Sequence, residues 1–213
     1  MTDKMKVWFK KERVFVYLLI FSPGFWWMIF KLPLIIKEWF NFPYLAGQKL
    51  TSVYTEERLV AVGLMRWANM DVQKNITVFS KLVYNRADIF VDEFFSYLSF
   101  FSPRLYFQSG DGSIFSPSGV DPVAMVLFPL FILGIINTAK KGLALPFLIL
   151  LVSGFIAFLA GTKSFSYLWP VLILYIWFSS RGFSGLNKNM QRIFSKLYLV
   201  YGSFLIFRML WLN

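Results

Sequence analysis

Whatever chemistry this chain performs is done without cysteine or histidine, since neither occurs among its 213 residues. Thiol nucleophiles, imidazole bases, Ser-His-Asp triads, haem ligation and Cys/His zinc centres are all excluded. Carboxylates, Lys, Arg, Tyr, Ser, Thr and Asn remain. Glu38 follows a long apolar run and is flanked by Lys37, Trp39 and Phe40. A carboxylate at such an edge can act as base on an acceptor hydroxyl, or can simply balance Lys37. Asp88 and Asp92 are four apart and share one helix face, where they could hold a divalent cation against a lipid phosphate. Asp92 and Glu93 diverge by about 100° on a helix and form no close dyad. Gly110-Asp111-Gly112 is a tight turn carrying a carboxylate that could meet a sugar hydroxyl, and Arg104 after Pro103 could grip a phosphate in bidentate fashion or anchor at an interface. Asn75-Ile76-Thr77 matches a short, common glycosylation sequon.

The elements that must position these groups belong to a membrane protein. Hydrophobic residues make up 57% of the chain and aromatic residues 21%, too much apolar material for a water-soluble globule to cover. Lys and Arg number 22 against 11 acids, a net charge of +11. In so apolar a chain these charges act as topology signals and contacts to anionic membrane lipids, not as a nucleic-acid-binding face. The chain reads as an all-α, polytopic membrane helical bundle of about five transmembrane helices with one exterior lobe of amphipathic helices.

The first span is expected over 14–36, kinked at Pro23-Gly24, with Trp26 and Trp27 in an interfacial belt. It is too long, and lacks the small-residue site, for a cleaved signal peptide. Four more spans are expected near 122–138, 143–161, 165–178 and 193–211, the fourth of the five being short and interrupted by Pro170. The basic N-terminal arm then shares a side with Lys140, Lys141, Arg181, Lys188 and Arg192, so the N-terminus is cytoplasmic and the C-terminus exterior, in an inner membrane. The chain divides into the arm and first span (1–36), an exterior lobe (37–121) and a four-helix region (122–213).

Within the lobe, Thr55-Glu56-Glu57-Arg58 precedes Leu59, Val60, Leu64, Met65 and Trp67 at helical spacing. A second amphipathic helix is expected over 88–101, with Asp88, Asp92, Glu93 and Ser96 on the polar side and Phe90, Phe94, Phe95, Leu98 and Phe101 on the rest. Ser153, Ala157 and Gly161 form a small-residue stripe suited to close helix packing, within the chain or against a partner.

The string Phe95-Ser96-Tyr97-Leu98-Ser99-Phe100-Phe101-Ser102-Pro103-Arg104-Leu105-Tyr106-Phe107, followed by Gly110-Asp111 and 116–119, resembles the exterior segment of bacterial GT-C membrane glycosyltransferases of the protein mannosyltransferase and aminoarabinose transferase type. Residues 47–57, 84–86 and 130–134 are similar to the same region, so the resemblance runs over about 42–180. It implies a polyprenyl-phosphate-linked sugar donor and inverting transfer at the outer face; read from their own chemistry, Arg104 and Asp111 are the candidate substrate-binding residues. It also implies that the N-terminal half, which carries the family's catalytic acid, lies elsewhere. Ile114-Phe115 replaces a basic pair usual after the Gly-Asp. Glu38 is the one carboxylate placed to substitute for that acid; otherwise a partner membrane protein supplies it. The reading from a different class is a non-enzymatic membrane scaffold or assembly subunit of a larger complex. A transporter fits less well, because the spans hold almost no midplane charge.

Overall fold

The computed structural model describes residues 3–53, 55–61, 78–116, 119–140 and 142–212. Its long elements are α1 (Asp3–Ile20), α2 (Pro23–Phe30), α3 (Leu32–Ser52), α4 (Val78–Ser99), α5 (Phe128–Ala139), α6 (Ala144–Leu159), α7 (Phe165–Ser184) and α8 (Lys188–Leu212). Among the described residues there is no strand, so the all-α class holds. The helix expected from Thr55 is present over 56–61 of the described residues; Leu64, Met65, Trp67 and the Asn75 sequon lie outside them.

Among the described residues one helix, Lys188–Trp211, is long and apolar enough to cross a bilayer by itself. Only 22% of its apolar window is buried, unlike the core helix of a water-soluble fold. Glu12–Ile20 and Pro23–Phe30 pass the same test only as a pair bent by 70°. Met125–Ala139 and Ala144–Leu159 are apolar but shorter.

The bend has a local cause and a tertiary cover. Pro23 cannot donate a helical hydrogen bond, and the chain restarts at Ser22, an extended N-cap. The carbonyl of Leu18, freed at the break, accepts from Ser22 Oγ (2.9 Å) and from the hydroxyl of Tyr198 on α8. Gly24 donates its N–H to Pro122 O at 2.9 Å, and a Cβ there would stand 2.7 Å from Leu172. The kink is therefore a socket into which the loop before α5 is pressed. At the next break α3 runs on as one helix from Leu32 to Ser52, through the boundary expected at 36.

The fourth expected span, shortest in the sequence, is the centre of the molecule. Helix α7 packs against α1, α2, α3, α5 and α6 and buries residues all round, from Phe165 and Leu168 to Ser179 and Gly182. Pro170 inside it removes the bond that would have reached the carbonyl of Ser166. That carbonyl is taken instead by the indole N–H of Trp39 at 2.9 Å, from α3. Trp39→Phe keeps the aromatic contact but leaves a buried carbonyl without a partner. It should lower unfolding stability by about 1–3 kcal/mol in detergent denaturation; an unchanged midpoint would show that the carbonyl finds another donor.

Contacts between α5 and α7 rise in step, from Phe131 on Tyr175 to Gly134 on Phe178, so the two helices run the same way and α6 reverses between them. They approach closely. A Cβ on Gly134 would fall 1.8 Å from the Phe178 carbonyl oxygen, and one on Gly182 would fall 1.9 Å from that of Leu130. Backbone packing of this kind needs glycine on both sides. The expected stripe on α6 is only partly used so: Ser153 and Ala157 are buried, but Gly161 is exposed beyond the helix in a left-handed turn. The tight approach falls one residue along, where Gly154 meets the ring of Phe101.

Candidate functional site

Two carboxylates far apart in sequence meet at the start of α7. Ser164 is the N-cap, accepting from the Ser166 N–H, and its hydroxyl lies 2.9 Å from that of Ser166. Both hydroxyls bond to Oε2 of Glu38, Ser164 at 3.3 Å and Ser166 more closely. The Tyr167 hydroxyl donates to the Glu38 carbonyl at 2.8 Å. Among the described residues Oε1 of Glu38 accepts no hydrogen bond, and the side chain is half-buried. Of the two readings of Glu38, balance with Lys37 and a placed carboxylate, the geometry adds a second set of partners: the serine hydroxyls of α7.

Asp111 approaches from the other side. Gly110 and Gly112 both have positive φ, 61° and 71°, and a side chain on Gly110 would overlap Ser116. This turn aims the carboxylate so that Oδ2 accepts from the Phe165 N–H at 2.7 Å and from Ser113 Oγ at 2.8 Å, while Oδ1 accepts from the Ser113 N–H at 2.9 Å. Asp111 thus supplies an acidic cap at the positive end of α7. Burial raises its pKa above the usual aspartate value, opposed by the hydrogen bonds from Ser113 and Phe165.

The segment around Tyr97-Leu98-Ser99-Phe100-Phe101 braces this end. The Tyr175 hydroxyl donates to Phe101 O at 2.7 Å, and Tyr106, fully buried, donates to Phe100 O at 2.7 Å. Arg104 stands exposed on the turn after Pro103. The structure therefore joins Glu38 to Asp111 through α7.

Asp92 is exposed and the side chain of Asp88 lies outside the described residues. Among the described residues there is no group of three or more acids able to hold a metal ion. Glu93, expected on the polar side with Asp92, points inward instead: it is 7% exposed and lies between Lys49 Nζ at 2.7 Å and Arg58 Nη1 at 2.5 Å. The helix is turned because two cations, Lys49 from α3 and Arg58 from the short helical segment 56–61, offer this acid a better partner than water does. The face lined by Phe90, Phe94 and Phe95 is correspondingly exposed. Burial works against ionisation of Glu93, but hydrogen bonds and charge from Lys49 and Arg58 outweigh it and hold its carboxyl below the usual glutamate range. A depressed carboxylate pKa adds stability above the unfolded value that is lost as pH falls through the folded one. Acid unfolding followed by circular dichroism should therefore show a loss of stability as pH falls through and below the usual glutamate range that Glu93→Gln removes.

Sequence reasoning missed the Ser164–Ser166 pair, because a serine at a helix start carries no sign of the distant carboxylate it meets. No family model, curated protein or solved structure matches the chain.

Proposed function

We propose that the chain is a multi-pass membrane protein of about five spans, with its N-terminus cytoplasmic and Asn213 outside, acting in lipid-linked sugar transfer at the outer face beside a partner chain that supplies the catalytic acid. The supporting observation is the convergence of Glu38 and Asp111 on the start of α7, braced by the segment that resembles the GT-C exterior loop. A polar contact of different kind lies at the far end of α7, where Arg181 pairs with Glu12 at 2.8 Å and stacks over Trp177. Two polar ends separated by a buried apolar helix suit a bundle crossing a bilayer, with Arg181 and the N-terminal arm on the cytoplasmic side. Asp111 spends both oxygens on the fold, which leaves Glu38, with Oε1 open, as the group to orient an acceptor hydroxyl. The polyprenyl-phosphate donor and any divalent cation belong to the same reading.

The absence of cysteine makes labelling direct. A membrane-impermeant maleimide should label Ser52→Cys in intact cells and Ser184→Cys only after permeabilisation; the reverse pattern would invert the topology. Mild-detergent purification should bring down a membrane partner, and Glu38→Gln should abolish sugar transfer by the complex without altering its assembly. Transfer by a strictly monomeric chain would end the partner requirement. The scaffold reading is favoured by one observation, the engagement of Asp111 as a helix cap, and a complex that assembles normally with no transfer activity would establish it.

A further inference from the structure

Lys49 stands on the border between two recesses of different character. On one side, α4 and α6 enclose an open apolar groove of about 500 Å³, lined by Phe90, Phe94, Tyr97, Val152, Phe155 and Phe158, with Glu93 at its edge. This lies within the roughly 300–1,000 Å³ typical of small-molecule sites. On the other side is a recess of about 580 Å³ and mixed lining, with Gln48, Lys49, Thr51 and Ser52 at the end of α3 beside Leu45, and Ala160 and Gly161 opposite. Lys49 lines this second recess, and its ammonium reaches two residues of the apolar groove, pairing with Glu93 at 2.7 Å and lying 5.1 Å over the Phe158 ring.

We propose that these two recesses together bind one anionic glycerophospholipid with a hydroxylated headgroup, an acyl chain lying between α4 and α6 and the phosphate against Lys49 and Arg58. Charge complementarity selects the anion. Two cations face one carboxylate, leaving an excess of one positive charge at the mouth of the groove. Lys49 has three donors and Arg58 five, of which the contacts to Glu93 engage a minority. The headgroup end is matched by acceptors. The Thr51 hydroxyl donates to Gly47 and Gln48 carbonyls and that of Ser52 to Lys49 O, so their exposed oxygens present lone pairs that a headgroup hydroxyl can fill. The groove itself is open to hydrocarbon, since Phe90, Phe94, Val152 and Phe155 are all exposed. The site rests on the membrane reading but on neither the enzymatic nor the scaffold version of it.

Native mass spectrometry of the full chain in detergent, titrated with phosphatidylglycerol or phosphatidylcholine of the same acyl chains, tests the proposal. Phosphatidylglycerol should be retained preferentially, by about two- to fivefold, the range one partly exposed ion pair supplies. Glu93→Gln removes the carboxylate that competes with the phosphate and should raise that retention by a similar factor. Lys49→Gln with Arg58→Gln and Glu93→Gln should reduce it to the phosphatidylcholine level. Val152→Trp fills the groove from an exposed position and should reduce retention of both lipids with the charges intact. Equal retention of the two lipids by the wild type, or no response to Val152→Trp, would overturn the proposal. So would a fall in phosphatidylglycerol binding by folded Glu93→Gln, or a dimer or partner mass that Val152→Trp abolishes. Topology by cysteine labelling is read separately, so failure of the lipid site and failure of the membrane reading are distinguishable.

Discussion

Gly182→Ala should leave almost no folded protein, and Gly134→Ala the same, although each adds a single methyl. The new Cβ would sit 1.9 Å from the Leu130 carbonyl oxygen in the first case and 1.8 Å from that of Phe178 in the second. Both obstacles are helix backbone, which cannot swing aside as a side chain can. Relief requires α5 and α7 to separate along the contact that seats the central helix, so the cost should exceed the usual 1–3 kcal/mol of overpacking and reach about 3 kcal/mol or more. Gly47 provides the control. It lies within α3, where an added methyl would meet no atom within 4 Å, so Gly47→Ala should stabilise by about 0.5–1 kcal/mol. The fraction surviving as a monodisperse peak after heating in detergent would rank the three. Survival of Gly182→Ala at the wild-type level would mean that α5 and α7 do not cross at these glycines.

Tyr175→Ala should be nearly as damaging, for the opposite reason. Its ring centroid is 4.4 Å from that of Tyr106 and 4.4 Å from that of Phe131, so it is the point where the segment 100–109, α5 and α7 meet. Removing it opens a cavity among aromatic neighbours, for which about 3–5 kcal/mol is the expected loss. It also frees the Phe101 carbonyl that its hydroxyl satisfies. Tyr175→Phe isolates that second effect at about 1–2 kcal/mol. Denaturant unfolding of both variants should show the two steps, and limited proteolysis of Tyr175→Ala should cleave first around 101–107. If Tyr175→Ala unfolds no earlier than Tyr175→Phe, the segment 100–109 is not held to the bundle through this residue.

The segment 95–107 stands out in the sequence for its aromatics, but its physical role comes from where they land. Tyr106 and Phe107 are buried against α5 and α7, whereas Phe90, Phe94 and Phe95, equally apolar, are exposed along the groove. Composition cannot separate these cases, because hydrocarbon and protein core accept the same side chains.

Already legible in the residues alone were that the chain is helical and apolar, that Pro23-Gly24 interrupts the first run, and that no cysteine or histidine chemistry is available. These follow from local physics: side chains that water rejects, a missing N–H, a residue type that does not occur. Which helix is central was decided only by tertiary packing. The shortest run, with a proline in it, became the core because α3 supplies the Trp39 indole to the carbonyl that Pro170 leaves open, and because Gly134 and Gly182 let α5 reach it. Tertiary structure likewise turned Glu93 inward and brought Glu38 and Asp111 to one helix end. Each of these outcomes depends on partners roughly 35 to 130 positions away, and a charge or a glycine carries no mark of its distant partner until the backbone brings the two within about 3 Å.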